Sequence, residues 1–268
     1  MDVRLEKSLS VCYSRKIKRM CGAEQGAVRD YWRNIMHEKI EVLGISVEKC
    51  YVEDVMECVN ENWFKEALST YGVINMKLLM AAQEDEKLKK YISILDKAVV
   101  DEPEVLKAAG VEDKRLEEEA SRHGFFSTLF WFLSHYKNQV FLLGETEEDT
   151  EAFCHFVEEK YPDIVIVGKD SLQEAHADQI DRVINEINSF SPQAVLTCSR
   201  NMGIERFVAD NRNMMNTKIL FCLGERQEIQ QETGLKKGWL GKLLEKSTFK
   251  KLVSQYNEEN EDTGKGEE

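Results

Sequence analysis

Short apolar runs alternate with longer amphipathic segments along most of this 268-residue chain. The runs are apolar throughout, which is typical of strands that are covered by helices on both faces. The segments between them place apolar residues three and four positions apart, as amphipathic helices do. Alternation of this kind favours parallel strands joined by right-handed crossovers. The predicted fold class is therefore α/β, a Rossmann-like and mostly parallel sheet flanked by helices, with a C-terminal helical appendage.

The individual elements follow from the same periodicities. Pro162 and Pro192 each precede a predicted strand, at a point where a helix must end. Alternation around Gly44 predicts a short hairpin within residues 39–47. Strands are predicted at 72–75, 97–101, 139–144, 163–168, 193–198 and 218–224, and helices at 52–69, 77–95, 112–136, 146–160, 172–190 and 202–214.

Composition argues against several classes of protein. A net charge of −13 argues against a nucleic-acid partner, which needs a basic surface to meet phosphates. No apolar run approaches the roughly 20 residues that span a bilayer, and the N-terminus lacks the pattern of a secretory signal, so we expect a cytoplasmic protein. The seven cysteines form no CxxC pair and the five histidines show no ligand spacing. We therefore expect reduced cysteines and no bound metal.

Four regions are expected along the chain. They are an N-terminal helical extension (1–37), the Rossmann-like domain (38–225), a basic amphipathic appendage (226–256) and a disordered acidic tail (257–268). Residues 236–256 carry six lysines and one acidic residue, interleaved with apolar side chains. This stretch either packs its apolar face on the domain or contacts an anionic membrane surface.

Ligands of open parallel sheets bind outside the carboxyl ends of the strands. The chain has neither a GxGxxG nor a GxxxxGK[ST] motif. Thr146 is suited to cap the helix after Gly144, and the nearby Glu145, Glu147 and Glu148 would repel a phosphate. The turn is therefore better suited to start a helix than to cradle a phosphate. The strand-end positions of interest are Asn75, Asp101, Gly144 with its turn, Gly168, and the residues from Ser199 onward and from Gly224 onward.

A set of short motifs in a fixed order gives the chain a resemblance to a known family. The strand end Phe141-Leu142-Leu143-Gly144 is followed by Tyr161-Pro162, then Val167-Gly168, and later by Ile184–Asn188 with Ser191-Pro192. In this order and spacing they resemble the WecB/TagA/CpsF family of bacterial glycosyltransferases, over roughly residues 38–256.

The resemblance also implies positions for the family's active site. Asn75 matches the Asn of a Thr-x-Asn motif, and Asp101 matches the Asp of an Asp-Gly motif that supplies the proposed general base. Glu102 stands in place of that glycine. Glu205 is what remains of a Pro-x-Gln-Glu motif, and Phe126 replaces the Asp of a Gly-x-Asp motif. The implied catalytic residue is Asp101, and the implied substrate-binding residues are Asn75, Gly144, Glu205 and Lys242, the last one standing near the family's C-terminal arginines.

The function implied by the resemblance is transfer of an N-acetylhexosamine-type sugar from a UDP-sugar to a polyprenyl-diphosphate-linked acceptor. It serves cell-envelope polysaccharide synthesis, needs no metal or other cofactor, and takes place at the inner face of the membrane, with contact through residues 236–256. The alternative is a catalytically degenerate paralogue that binds a nucleotide or a protein of the same pathway. Filling of the diphosphate space by Glu102, Phe126 or Glu145 would favour that alternative.

Each implied residue also has a purely structural interpretation. Asp101 could cap a helix that starts at Pro103, and Asn75 could cap the helix that follows it. Glu205, close to Arg206 and Arg212, is typical of a solvated, salt-bridged helix face. An aromatic run is expected in the core or at a contact between copies of the chain, which leaves homo-oligomerisation open; it comprises Phe125, Phe126, Phe130, Trp131 and Phe132.

Overall fold

A computed structural model describes residues 38–172, 177–225 and 239–264. The predicted N-terminal extension (1–37) and residues 226–238 of the predicted appendage lie outside the described residues. The chain divides into one compact unit up to Glu38 and a second from Lys39 to Glu268. All helices and strands named below lie in the second unit. No helix within the described ranges is long and apolar enough to cross a bilayer.

The described elements alternate as the periodicity predicts. The strands are β1 (Lys39–Val42), β2 (Ile45–Glu48), β3 (Ser69–Ile74), β4 (Lys97–Val100), β5 (Gln139–Gly144), β6 (Val165–Ser171), β7 (Ala194–Cys198) and β8 (Ile219–Cys222). The helices are α1 (Val52–Asn62), α2 (Met76–Ala81), α3 (Glu86–Ile94), α4 (Pro103–Ala108), α5 (Lys114–Ser121), α6 (Gly124–His135), α7 (Glu147–Lys160), α8 (Ala177–Phe190), α9 (Gly203–Asn211) and α10 (Trp239–Gly264).

The strands β1 and β2 form the predicted hairpin. They pair antiparallel, with Val42 opposite Ile45. The two residues of the turn, Leu43 and Gly44, have φ values of 54° and 70°. Two consecutive positive φ angles belong to the tight turn whose twist matches that of the flanking strands.

The other six strands form one parallel sheet in the order β4-β3-β8-β7-β5-β6. Alternate residues of a strand point to opposite faces, and both faces are covered. In β5, Phe141 and Leu143 belong to one buried cluster, and Val140 and Leu142 belong to the other. This arrangement confirms the predicted Rossmann-like α/β class.

The strand order places a crevice between β5 and β7. The chain leaves β5 towards β6 at the sheet edge, whereas it leaves β7 in the opposite direction towards β8. The loops after these two strands therefore diverge, and such a topological switch point is where open α/β sheets bind ligands.

Two of the predicted helices are divided by local backbone interactions. The predicted helix 77–95 is interrupted before Asp85, whose carboxylate accepts hydrogen bonds from the backbone N–H groups of Lys87 (2.9 Å) and Leu88 (3.3 Å) and so caps α3. The predicted helix 112–136 is interrupted at His123, which has a left-handed conformation with φ 49°. Apolar periodicity continues across both breaks, which is why it does not reveal them.

The C-terminal helix α10 packs on the domain through its middle. Phe249 is buried in the main core cluster, and Leu252 and Tyr256 pack against the same cluster. The packing interpretation of residues 236–256 therefore describes this part of the helix. In contrast, Leu243 and Leu244 are 50% and 69% exposed.

The helix α10 also continues to Gly264, so residues 257–264 are helical rather than disordered as the sequence had suggested. Once Phe249 and its neighbours fix the preceding turns, each further residue adds one backbone hydrogen bond without a new nucleation cost.

We predict that Phe249→Ala lowers the free energy of unfolding by about 3–5 kcal/mol, because it removes a fully buried ring and leaves a cavity. Urea unfolding of the full chain measures the change. Leu244→Ala on the same helix is the control and should change stability by less than about 0.5 kcal/mol, since this side chain is exposed. Equal effects of the two substitutions would contradict the docked arrangement of α10.

Candidate active site

The side chains that follow β3 and β4 lie next to each other. Ile74 pairs with Val100, so Asn75 and Asp101 leave the sheet from neighbouring positions. The Oδ1 atom of Asn75 accepts a hydrogen bond from the backbone N–H of Leu78 at 2.8 Å. Asn75 therefore caps α2, which confirms its structural interpretation and leaves its Nδ2 amide group as a donor.

Asp101 faces a histidine instead of capping a helix. Its backbone N–H donates to the carbonyl oxygen of Ile74 at 2.9 Å, and its side chain is buried. Oδ1 of Asp101 lies 3.2 Å from Nδ1 of His123. The N-terminal cap of α4 is Glu102 and has no side-chain cap bond, so the interpretation of Asp101 as a helix cap is wrong. Its carboxylate is directed towards the turn between α5 and α6.

Glu102 occupies the N-terminus of α2. Its Oε2 atom accepts a hydrogen bond from the backbone N–H of Met76 at 2.8 Å. Burial raises the pKa of the Glu102 carboxyl, and the nearby carboxylates of Glu245 and Asp101 act in the same direction. Glu102, which replaces the family's glycine, thus accepts a hydrogen bond from a backbone N–H that the N-terminus of α2 could otherwise offer to a bound anion.

Glu145 likewise accepts hydrogen bonds from backbone N–H groups, in this case at the N-terminus of α9. Its carboxylate accepts hydrogen bonds from three backbone N–H groups of the loop after β7, those of Arg200 (2.7 Å), Asn201 (2.6 Å) and Gly203 (3.0 Å). A Cβ atom at Gly203 would lie 2.6 Å from Oε1 of Glu145, so only glycine fits there without a shift. N–H groups that converge in this way form an anion-binding concavity, and Glu145 fills it.

Two cations at this edge were not predicted. Nζ of Lys77 donates to the carbonyl oxygen of Arg200 at 2.5 Å and lies 3.1 Å from Oε2 of Glu225. The guanidinium of Arg200 contacts Asp149 at 2.5 Å. Arg200 lies two residues after the end of the predicted strand 193–198, in the stretch from Ser199 onward that the strand-end search reached without assigning Arg200 a role. No sequence signal separates Lys77 from other helical lysines.

Glu205 is buried in α9, with 5% of its surface exposed. The interpretation as a solvated, salt-bridged surface residue is therefore wrong, because this position of α9 faces the core beside Ile204 and Val208. Burial raises the pKa of the Glu205 carboxyl. Within the described residues its Oε2 atom has no hydrogen-bond partner.

The structure does not bring all predicted site residues together. A Cβ atom at Gly144 would lie 2.3 Å from Oγ1 of Thr150, so close packing of β5 on α7 already requires glycine there. Three strands separate β4 from β5, which places Asp101 and Gly144 about 19 Å apart at the usual strand spacing. Lys242 is exposed on α10.

The aromatic run lies mostly in the core. The ring of Phe126 lies 4.5 Å from that of Phe130 and 5.8 Å from that of Phe156, so Phe126 does not fill the carboxyl edge of the sheet. A cavity of about 400 Å³ between the hairpin and α10 is lined by Val42, Ala108 and Tyr256, among others, and by none of the predicted site residues.

A parallel sheet with a polar, acid-rich carboxyl edge defines a Rossmann-like binding scaffold, and the order of its motifs resembles that of a glycosyltransferase. Residues 40–229 match the model of the glycosyl transferase WecG/TagA/CpsF family. The chain belongs to this family, which confirms the resemblance found in the sequence. Membership implies a glycosyltransferase of cell-envelope polysaccharide synthesis. No curated protein matches the chain.

We predict that Glu205→Gln stabilises the protein at high pH and not at low pH. Burial raises the carboxyl pKa in the folded state above the unfolded value of about 4.5, so the folded state binds the proton more tightly. The free energy of unfolding of the wild type therefore falls as the pH rises through this interval. Glutamine carries no charge and removes this loss.

Urea unfolding at pH 4 and pH 8 measures the effect. The exposed Glu258→Gln is the control and should change stability little at either pH. A difference between Glu205→Gln and wild type that is the same at both pH values would show that the carboxyl is not held in a charge-disfavouring site.

Proposed function

We propose that the chain transfers an N-acetylhexosamine-type sugar from a UDP-sugar to a polyprenyl-diphosphate-linked acceptor. The single observation that supports this chemistry is the placement of Asn75 and Asp101 on neighbouring strand ends, with Asp101 buried beside His123. A hydrogen-bond donor and a carboxylate that share one edge of the sheet are suited to hold a sugar and to accept a proton.

The reaction is a single displacement with inversion. An acceptor hydroxyl attacks the anomeric carbon and the UDP group leaves, while Asp101 serves as the general base that the family resemblance implies. The Nδ2 amide of Asn75 donates to the sugar, since Oδ1 is used by the helix cap. Lys77, which lies on the helix after Asn75, supplies positive charge for the diphosphate. The proposal includes no metal or other cofactor.

A second candidate function is favoured by a specific observation. Glu102 and Glu145 occupy backbone N–H groups at the N-termini of α2 and α9, where a diphosphate could otherwise be held. A paralogue that has lost catalysis and binds a nucleotide or a protein partner would tolerate such internal carboxylates. The two candidates differ in whether the folded protein binds and turns over a UDP-sugar.

We predict that calorimetric titration with UDP and a panel of UDP-sugars gives a dissociation constant on the order of micromolar, or roughly −8 kcal/mol. With a lipid-linked acceptor, Asp101→Asn should lower kcat by about 10²–10⁴-fold, the contribution typical of a general base. Donor affinity should remain close to that of the wild type, because the substitution keeps the size of the side chain.

The control is Asp163→Asn, a change of the same kind at an exposed position before β6. Absence of heat and of thermal stabilisation with every nucleotide would contradict the transferase and support the paralogue. In that case titration of Glu145→Ala would show whether the internal carboxylate is what closes the site to nucleotides.

We further propose that α10 brings the site to the inner face of the cell membrane. Leu243 and Leu244 are exposed beside the exposed Lys242, and Lys246 on the same helix contacts Glu104 at 2.5 Å, close to the end of β4. Apolar and basic side chains combined on one helix bind anionic lipid surfaces. A lipid-linked acceptor would then reach the sheet edge from the membrane.

Co-sedimentation with vesicles that contain anionic phospholipid tests this proposal. Leu243→Ser with Leu244→Ser should weaken binding by about tenfold or more, since each buried leucine contributes about 1.5–3 kcal/mol. Phe64→Ser is the control, because Phe64 is 81% exposed and lies after α1. Equal loss in both variants, or no binding by the wild type, would contradict the proposed membrane contact.

A further inference from the structure

A cavity of about 400 Å³ lies between the β1–β2 hairpin, the end of α4 and the helix α10. Its volume falls within the roughly 300–1,000 Å³ of sites that bind small molecules in proteins. The hairpin contributes residues 41–43 to its lining, α4 contributes Ala108, and α10 contributes four residues. None of the described residues implied in sugar transfer lines it, so the cavity is separate from the site at the strand ends.

The four residues of α10 that line the cavity share one face of the helix. They are Val253, Tyr256, Asn257 and Asn260, at positions i, i+3, i+4 and i+7. Val253 and Tyr256 pack against the main core cluster, so they form an apolar floor. The same face then changes to carboxamides at Asn257 and Asn260, which are both exposed. An apolar floor with a few polar groups at its rim is typical of small-molecule sites.

The two asparagines are not explained by the helix in which they lie. Asparagine forms helices less readily than alanine or glutamate does. Of the described residues in this part of α10, Glu258 and Glu259 stand between the two asparagines and do not line the cavity. The uncharged amides are therefore placed where α10 faces the cavity, and the neighbouring charges are placed elsewhere.

The phenol of Tyr256 is positioned by the turn of the hairpin. A Cβ atom at Gly44 would lie 2.6 Å from Oη of Tyr256, so a larger residue there would displace the ring. Gly44 also has φ 70°, which glycine adopts without strain. On the same turn, the carbonyl oxygen of Leu43 accepts a hydrogen bond from Nε2 of Gln83 at 3.0 Å. These contacts fix the wall of the cavity in advance, which lowers the ordering cost of binding.

Charge and hydrogen-bonding capacity limit what the cavity can hold. Among the described residues that line it, Glu41 alone is charged, so a nucleotide or a phosphate would meet a carboxylate and no cation. An ammonium group would suit Glu41 but has no acceptor for the amide N–H groups of the rim. Hydroxyl groups both donate and accept, so they match the carboxylate, the amides and the phenol together.

We propose that this cavity binds a neutral carbohydrate, whose hydroxyl groups pair with Glu41, Tyr256, Asn257 and Asn260. The helix α4 begins directly after Glu102 and ends at Ala108, and its six residues span about 9 Å. The cavity therefore lies one short helix away from the end of β4. There it would hold a neutral part of a glycan at a distance from the reacting bond. That role rests on the proposed function, whereas the binding of a sugar does not.

Saturation-transfer NMR of the full chain with glucose, N-acetylglucosamine and chitobiose tests the proposal. We expect transfer of saturation to the sugar protons, with a dissociation constant on the order of millimolar. Saturating UDP, which probes the strand-end site, should leave the signal unchanged. Methyl phosphate and tetramethylammonium, which stand for an anion and a cation, should show no transfer.

Two variants locate the binding in the cavity. Asn257→Ala combined with Asn260→Ala should weaken sugar binding about tenfold or more, because two hydrogen-bonding groups are lost. Alanine favours the helix, so α10 is kept. Ala108→Leu adds bulk from the opposite wall without removing a polar group and should weaken binding as well. Asn60→Ala, at an exposed asparagine of α1, is the matched control and should bind the sugar as the wild type does.

The outcomes separate this site from the proposed transfer reaction. Wild-type affinity in either folded cavity variant, or displacement of the sugar by UDP, would overturn the cavity as the binding site. Absence of a signal with every sugar, or a signal with tetramethylammonium alone, would overturn the ligand class. Failure of the protein to bind or turn over UDP-sugars would contradict the transferase and leave a positive sugar-binding result in place.

Discussion

Burial of the parallel sheet on both faces is the constraint from which the rest of this structure follows. Parallel strands cannot be joined by tight turns, so each strand must return through a crossover that covers one face. Every such crossover starts at the carboxyl end of a strand. The polar residues after β3, β4, β5, β7 and β8 therefore collect along one edge, although they are far apart in the sequence. The position of the candidate site therefore follows from the parallel arrangement of the strands.

At that edge, backbone N–H groups at helix N-termini donate hydrogen bonds to carboxylates of the chain itself. Glu102 takes a donor of α2, and Glu145 takes three donors around the start of α9. Lys77 and Arg200, two cations at these loops, contact Glu225 and Asp149 respectively. The positive potential that helix N-termini usually offer to a phosphate is thus balanced internally. A bound diphosphate would have to compete with these carboxylates or rely on cations from elsewhere, such as the lysines of residues 236–256.

The sequence predicted what depends on local periodicity. The bounds of β5 and the hairpin around Gly44 agree with the structure, because apolar alternation and a glycine turn are local signals. It did not predict the burial of Glu205, since the neighbouring arginines gave the helix a polar appearance. It also missed the contact between Asp101 and His123, which depends on how the turn after α5 is placed over β4. Contacts between distant segments carry no period, and only the fold brings them together.

The helix α10 places a lysine close to the end of β4, where the candidate site lies. The chain carries a net charge of −13, yet residues 236–256 contain six lysines and one acidic residue. An acidic body is repelled by an anionic surface while a basic segment is attracted, so such a molecule approaches a bilayer in one preferred orientation. Phe249 anchors the helix in the core, and Lys246 contacts Glu104 just beyond β4. The membrane contact proposed above would therefore turn the end of β4, with Asp101 and His123, towards the side from which the proposed lipid-linked substrate arrives.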